Sequence, residues 1–185
     1  MKNILAEYTD GGVHYSFRYA EKEDKKKIIK FYESMDSESI YFRFLSYFKD
    51  FSSHVEKIFG EKNKLGFAII GEDESNRIAG LGETYSYNIE GAELAFIVDP
   101  RHRKRGLGTI IAAMLILGSY KRGIKNMEAF FHAENGPAYR IGLRMGLRME
   151  FDEDVYHGKA PLNEIYTIAL NNLKEKNVSL YYERI

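Results

Sequence analysis

Residues 99–109 read Asp-Pro-Arg-His-Arg-Lys-Arg-Gly-Leu-Gly-Thr, between an apolar run ending at Val98 and a second one starting at Ile110. The order is strand, basic glycine loop, helix. Gly106 and Gly108 let the backbone come close to a ligand, and the helix after them turns unpaired N–H groups and the positive end of its dipole toward the loop. Arg103, Lys104 and Arg105 add fixed positive charge at the same place. Backbone and side chains together make an anion site, most simply a phosphate site.

A chain of 185 residues suits one domain with a real core, and a single domain over 1–185 is expected, with its core at about 15–170 and a tail at 171–185. Lys plus Arg equal Asp plus Glu at 27 each, so no global field draws the chain to nucleic acid or to an anionic membrane. The basic run at 101–105 therefore serves a site. Cysteine is absent, which excludes disulfides, thiolate metal sites and a cysteine nucleophile. The start, Met1 to Glu7, lacks the apolar stretch of a signal peptide, and the longest apolar run, Ile110–Leu117, falls far short of the ~20 residues of a spanning helix. A soluble cytoplasmic protein is expected.

Along the chain, Val13–Ala20 alternates like a half-buried strand, and Asp24 is placed to cap a helix through Ile28, Phe31, Tyr32 and Met35. Ser37 or Ser39 restarts helix through Ile40, Tyr41, Phe44, Leu45 and Phe48, with a short helix at Val55–Phe59. Single rings in this aromatic pair read as helix packing, while the pair as a whole can wall a substrate cleft. Leu65–Gly71, Ile78–Tyr87 and Ala92–Val98 form three successive strands joined by polar turns, an antiparallel meander that feeds the loop. The helix from Leu107 to about Lys121 is apolar nearly all round and belongs against the sheet. A strand at Met127–His132, a helix at Pro137–Met145 and strands at Leu147–Phe151 and Glu164–Leu170 follow. Asn171–Ile185 reads as a helical or loosely ordered tail.

The phosphate motifs separate on spacing. A nucleotide P-loop fails, because the pair Gly118 and Gly123 is followed by Ile124 where lysine must stand. A dinucleotide fingerprint fails too, since its third glycine falls on Ile111 and the strands before it form a meander. What remains is [Q/R]-x-x-G-x-[G/A], matched by Arg103-Lys104-Arg105-Gly106-Leu107-Gly108 after a strand ending Val-Asp-Pro. With this order of elements, the chain from about Phe17 to Leu170 resembles the GNAT family of acyl-coenzyme A dependent N-acetyltransferases. Within it, Ser37-Glu38-Ser39-Ile40-Tyr41-Phe42-Arg43-Phe44 and Ala92-Glu93-Leu94-Ala95-Phe96 resemble segments of the Pat-type protein lysine acetyltransferases. The resemblance implies an α/β (α+β) fold, a mixed, mostly antiparallel sheet of six to seven strands flanked by helices. It also implies acetyl-CoA as cosubstrate; the histidine spacing and the lack of cysteine lead to no metal being expected.

An ammonium of pKa ~10.4 must lose a proton before it attacks a thioester, so a base is needed. Spacing alone leaves Glu93 open between that role and an ordinary solvent-facing strand residue. The resemblance places the general base at Glu93, with Glu83 on the neighbouring strand in reserve. It carries coenzyme contacts to Ala95, Phe96 and Ile97, whose strand would need to splay from its neighbour, to Arg103, Lys104, Arg105, Gly106, Leu107 and Gly108, and to Asn135 and Arg144. Asn135, before Gly-Pro, is also a good helix cap, and Arg144 is one of several arginines with Arg140 and Arg148. Many family members carry a tyrosine as general acid seven residues after that asparagine; here the position is Gly142, a departure shared with Pat-type members. Tyr139 reads as packing.

Five histidines, at 14, 54, 102, 132 and 157, show no zinc spacing, and His132-Ala133-Glu134 lacks the cysteines of a deaminase. Gly-x-Ser-x-Gly is absent. A nucleic-acid patch at Arg101–Arg105 ranks below phosphate binding, because the glycines and the helix give the charge something to surround. The expectation is acetyl transfer to the side-chain amine of a protein lysine, the partner being a protein with an exposed lysine and neither nucleic acid nor membrane. A small-molecule amine acetyltransferase and a non-catalytic acyl-CoA sensor are the alternatives.

Overall fold

A computed structural model describes residues 3–86 and 88–185. In chain order it places β1 (Ile4–Asp10), β2 (Val13–Tyr19), α1 (Lys25–Glu33), α2 (Ser37–Phe44), α3 (Phe51–Ile58), β3 (Ala68–Asp73), β4 (Ile78–Tyr85), β5 (Ala92–Val98), α4 (Leu107–Lys121), β6 (Asn126–His132), α5 (Gly136–Arg144), β7 (Arg148–Asp152), β8 (Val155–Pro161), α6 (Leu162–Glu175) and β9 (Ser179–Leu180). The strands form one sheet in the order β7-β8-β6-β5-β4-β3-β2-β1-β9. Among the described residues every pairing is antiparallel except β5 with β6.

The fold is the expected mixed, mostly antiparallel α/β sheet with flanking helices, but the sheet is wider than six to seven strands: nine are found among the described residues. Three strands have weak local signals. β1 gains its place by pairing with β2, β8 carries Gly158, Lys159 and Pro161, and β9 is two residues laid against β1. In the other direction, Glu164–Leu170 is helix, part of α6. Its β-branched residues suggest a strand, yet Leu162, Ile165, Ala169 and Leu173 are buried at helical spacing, and that face decides. Of the two expectations for the residues beyond 170 the helical one holds as far as Glu175, the end of α6, and β9 follows it. Tyr87, the last residue of the expected strand from Ile78, lies outside the described residues.

α4 lies against the face of β3, β4 and β5, and α6 covers its other side. Leu107 through Ser119 are all buried, which is why the helix has no polar face. At about 1.5–3 kcal/mol for each large aliphatic side chain taken out of water, this helix is the principal source of core stability. Close docking needs Gly82 in β4: a Cβ there would stand 2.3 Å from Ile111 and 2.9 Å from Leu115. The opposite face carries a second core, in which α1, α2 and α3 bury Ile28, Phe31, Tyr32, Ile40, Val55 and Ile58 over Leu81 and Ile97. Asp36 caps α2 through Ser39 N–H, and Leu45 ends that helix in a left-handed turn, short of the expected Phe48.

Strand β5 is the hinge of the site. It pairs with β4 along Glu93–Val98, but with β6 only at Ala92 opposite Met127 and Glu93 opposite Glu128. Beyond Glu93 the sheet opens into a V.

Candidate active site

The V leaves alternate backbone groups of β5 without a strand partner. Asp99 N–H donates to Ala79 C=O at 2.9 Å, which fixes the alternation: Ala95 and Ile97 direct their backbone polar groups into the β4 ladder, and Phe96 and Val98 direct theirs into the gap. Of the three residues expected to offer backbone contacts, Phe96 is so placed, with Val98 beside it. Ala95 and Ile97 spend their N–H and C=O groups within the sheet.

A cavity of about 930 Å³ runs through this gap. One wall is α2, with Glu38, Ser39, Phe42 and Arg43; the other is the start of α4 and the face of α5, with Asn135, Ile141 and Arg144. Gly106, Leu107, Gly108 and Thr109 line it at the start of α4. Gly106 sits at φ +84°, a left-handed conformation that aims the first turn of α4 into the cavity. A Cβ on Gly108 would press on Ile141 at 2.9 Å and on the Phe96 ring at 3.3 Å, so glycine is needed there to bring α4, α5 and β5 together around the gap.

The basic run divides. Arg103 and Lys104 line the cavity. Arg103 donates to Val98 C=O at 3.2 Å and to Ser39 Oγ at 2.5 Å, tying the end of β5 to the start of α2. Arg105 turns away and donates to Asp10 in the β1–β2 turn at 3.2 Å, and Arg101 folds back on buried Asp99. Arg105 thus anchors the loop from behind. Asn135 Oδ1 accepts Ala138 N–H at 3.2 Å as the cap of α5, and the residue also lines the cavity. Arg144 lines the same cavity, with its guanidinium held by Asn172 and, at 2.7 Å, by Glu175 of α6.

The two carboxylates on adjacent strands have opposite environments. Glu83 is fully buried and accepts hydrogen bonds from Tyr32 at 2.7 Å and Tyr85 at 2.8 Å; Arg43 forms an ion pair with it and His54 Nε2 lies 3.1 Å away. Burial pushes its carboxyl up, but Arg43, His54 and Tyr32 overcome that and hold it down at about 2. A carboxylate so committed is a poor proton acceptor. Glu93 is half-buried, and among the described residues no hydrogen bond or ion pair reaches its carboxylate. Burial raises its carboxyl, with Glu128 and Glu83 acting in the same direction and Arg43 and His157 opposing them. A free carboxylate tuned upward at the vertex of the V is the better base.

The position of the missing tyrosine is closed. A Cβ at Gly142 would stand 2.3 Å from Met149 and 3.0 Å from the Phe131 ring, inside the core. Tyr139 packs against Tyr156 with ring centroids 4.4 Å apart and does not line the cavity, so neither residue supplies an acid there. Sequence reasoning passed over Arg43, although a lone arginine in the aromatic run Tyr41-Phe42-Arg43-Phe44 is itself a sign of a buried ion pair.

The model of the GNAT acetyltransferase family matches residues 17–156. The chain belongs to this family. The GNAT N-acetyltransferase fold also recurs in solved structures at low identity. The GNAT domain of PAT from S. lividans superposes with a TM-score of 0.75 at 16% identity, covering 86% of this chain and 97% of that one. A spermidine N-acetyltransferase from Vibrio cholerae, in complex with CoA and spermine, reaches 0.66 at 17% identity over 83% of this chain and 98% of that one. A GNAT superfamily phosphinothricin acetyltransferase from Sinorhizobium meliloti, in complex with AcCoA, reaches 0.66 at 14% identity over 80% and 88%. As a GNAT N-acetyltransferase the protein draws its acetyl group from acetyl-CoA, and the glycine cradle at Gly106 and Gly108 suits the phosphates of that cosubstrate. Among the described residues no group of side chains is placed to hold a metal ion, and no helix is long and apolar enough to cross a membrane.

Proposed function

We propose that this GNAT enzyme acetylates the side-chain amine of a lysine on a protein, with Glu93 as general base. The observation that carries the reading is the open sheet face beside Glu93. α1–α3 pack over β4 and β5, whereas no helix crosses the same face of β6, β8 and β7 among the described residues. α2 touches only its far end, where Tyr41 and Phe42 meet the His132 ring at 5.4 and 5.5 Å. Glu128, Phe130 and His157 stand on that shelf next to Glu93, and Phe130 is 40% exposed. A shelf admits a lysine carried on a bulky partner.

In the reaction, Glu93 takes a proton from the acceptor ammonium and the freed nitrogen attacks the thioester carbonyl; as the carbon–sulfur bond breaks to release coenzyme A thiolate, the nitrogen's surplus proton passes to the thiolate or to water, leaving the neutral amide. The N–H groups of Phe96 and Val98 face the gap in which the oxyanion would form. A thiol of pKa ~8.5 leaves without obligatory protonation, which suits a site whose Gly142 position has no room for a tyrosine.

A small polyamine is the second reading. Glu128 directly beside Glu93 gives an extended cation two neighbouring carboxylates, and the Vibrio cholerae relative is named for spermidine. Incubation with labelled acetyl-CoA, a cell extract and added spermidine separates the two. Label in protein bands is expected; label in small molecules alone overturns the protein-lysine reading, and no acceptor-dependent release of coenzyme A overturns catalysis.

A further inference from the structure

We infer that Lys176, at the end of α6 and outside the 17–156 span of the family match, is a ligand for a phosphate of the coenzyme. The inference rests on the reading of the cavity as the acetyl-CoA site. α6 lies along α4, and Lys176, the residue that caps it after Glu175, stands at the start of α4 beside the cavity-lining Gly106, next to the cavity's lining and not part of it. The ammonium comes so near that a Cβ built on Gly106 would stand 2.7 Å from Lys176 Nζ and 3.2 Å from its Cε.

Its neighbours explain why this cation is different. Arg105 is occupied by Asp10, Arg103 by Ser39 and the Val98 carbonyl, and Arg144 by Asn172 and Glu175, while Lys104 and Arg140, which line the cavity, are exposed to water. Lys176 is half-buried, yet among the described residues its ammonium has no carboxylate, carbonyl or hydroxyl partner. Drawing an ammonium partly out of water without a counter-charge is unfavourable. A lysine at a helix C-terminus ordinarily serves the dipole of its own helix, by reaching back to the last carbonyls. Lys176 reaches across to the N-terminus of α4 instead, where the dipole repels it until an anion arrives. A phosphate seated on the first turn of α4 satisfies the lysine and the free N–H groups together. Gly106 thereby has a second role: without a side chain, it leaves the lysine room beside the loop.

Calorimetric titration of the full chain with acetyl-CoA, acetyl-3′-dephospho-CoA and S-acetylpantetheine tests this. Lys176→Met, which keeps an unbranched apolar stem, is expected to weaken acetyl-CoA binding about tenfold, or about 1.4 kcal/mol, and Lys176→Arg to restore most of it. If the loss persists with the dephospho compound, the contact is to the pyrophosphate; if it vanishes there, to the 3′-phosphate. Either result supports the assignment. Binding by Lys176→Met within twofold of wild type overturns it, as does an equal loss toward S-acetylpantetheine, which has no phosphate. A wild-type protein that binds none of the three overturns the coenzyme reading beneath it.

Discussion

Replacing Arg43 by methionine removes the ion-pair partner of a carboxylate that has no access to water. The Arg43 side chain is 7% exposed and that of Glu83 is 0%, so the variant leaves Glu83 buried with only Tyr32, Tyr85 and His54 around it. Loss of one partner of a buried pair costs about 3–5 kcal/mol. The pH dependence gives a sharper check. Glu83 is held at about 2 against an ordinary 4.5, which at about 1.4 kcal/mol per pKa unit corresponds to about 3 kcal/mol of stability. Because the folded-state value is depressed, that contribution is fully present above the ordinary value and is lost as pH falls from about 4.5 toward 2. By pH 3 about 2 kcal/mol of it is gone. In Arg43→Met the burial of Glu83 is no longer opposed by the arginine, so its carboxyl rises and protonates readily, and this pH-dependent contribution disappears. Urea unfolding of both proteins at pH 7 and pH 3 reads the difference, and carboxylates common to the two cancel. The stability gap should be about 3–5 kcal/mol at pH 7 and smaller by about 2 kcal/mol at pH 3. An equal gap at both values, or one under about 1 kcal/mol at pH 7, refutes the reasoning.

Glu93→Gln should lower kcat/KM by about 10²–10⁴ with acetyl-CoA affinity retained. Since burial raises this carboxyl, the acid limb of the wild-type profile should lie above 4.5, and an unchanged rate and profile in the variant would remove Glu93 from the chemistry. Gly106→Ala places a Cβ at φ +84° against Lys176; it should cost about 1 kcal/mol of stability and weaken acetyl-CoA binding, which thermal melting and titration will show. Gly142→Tyr restores the residue that many relatives use as acid, but its Cβ meets Met149 and Phe131. The outcome should be a loss of at least about 1–3 kcal/mol from overpacking and no gain in kcat; a faster, equally stable variant would show that the position opens to the site.

What was legible in the sequence was what local spacing controls. The unbroken apolar run after Gly108 marks α4 at its true limits, Leu107–Lys121, because a helix buried on all sides needs no polar stripe. The glycines and arginines before it mark the loop at the cavity, since close backbone approach and fixed charge are properties of residue type. The meander feeding the loop follows from turn residues between apolar runs. These features sufficed to point to the family.

Tertiary structure decided the rest, because it depends on residues far apart in the chain. Strands β1, β8 and β9 exist by pairing, and α6 by the face it buries against α4 and β8. Within one basic run, Arg103 and Lys104 reach the cavity while Arg101 and Arg105 do not, an outcome set by Asp99 and by Asp10 in a distant turn. Glu83 and Glu93 are both strand glutamates in sequence. The aromatic helices bury one beneath Arg43 and leave the other free at the vertex of the V, and only that enclosure determines which carboxylate can accept a proton.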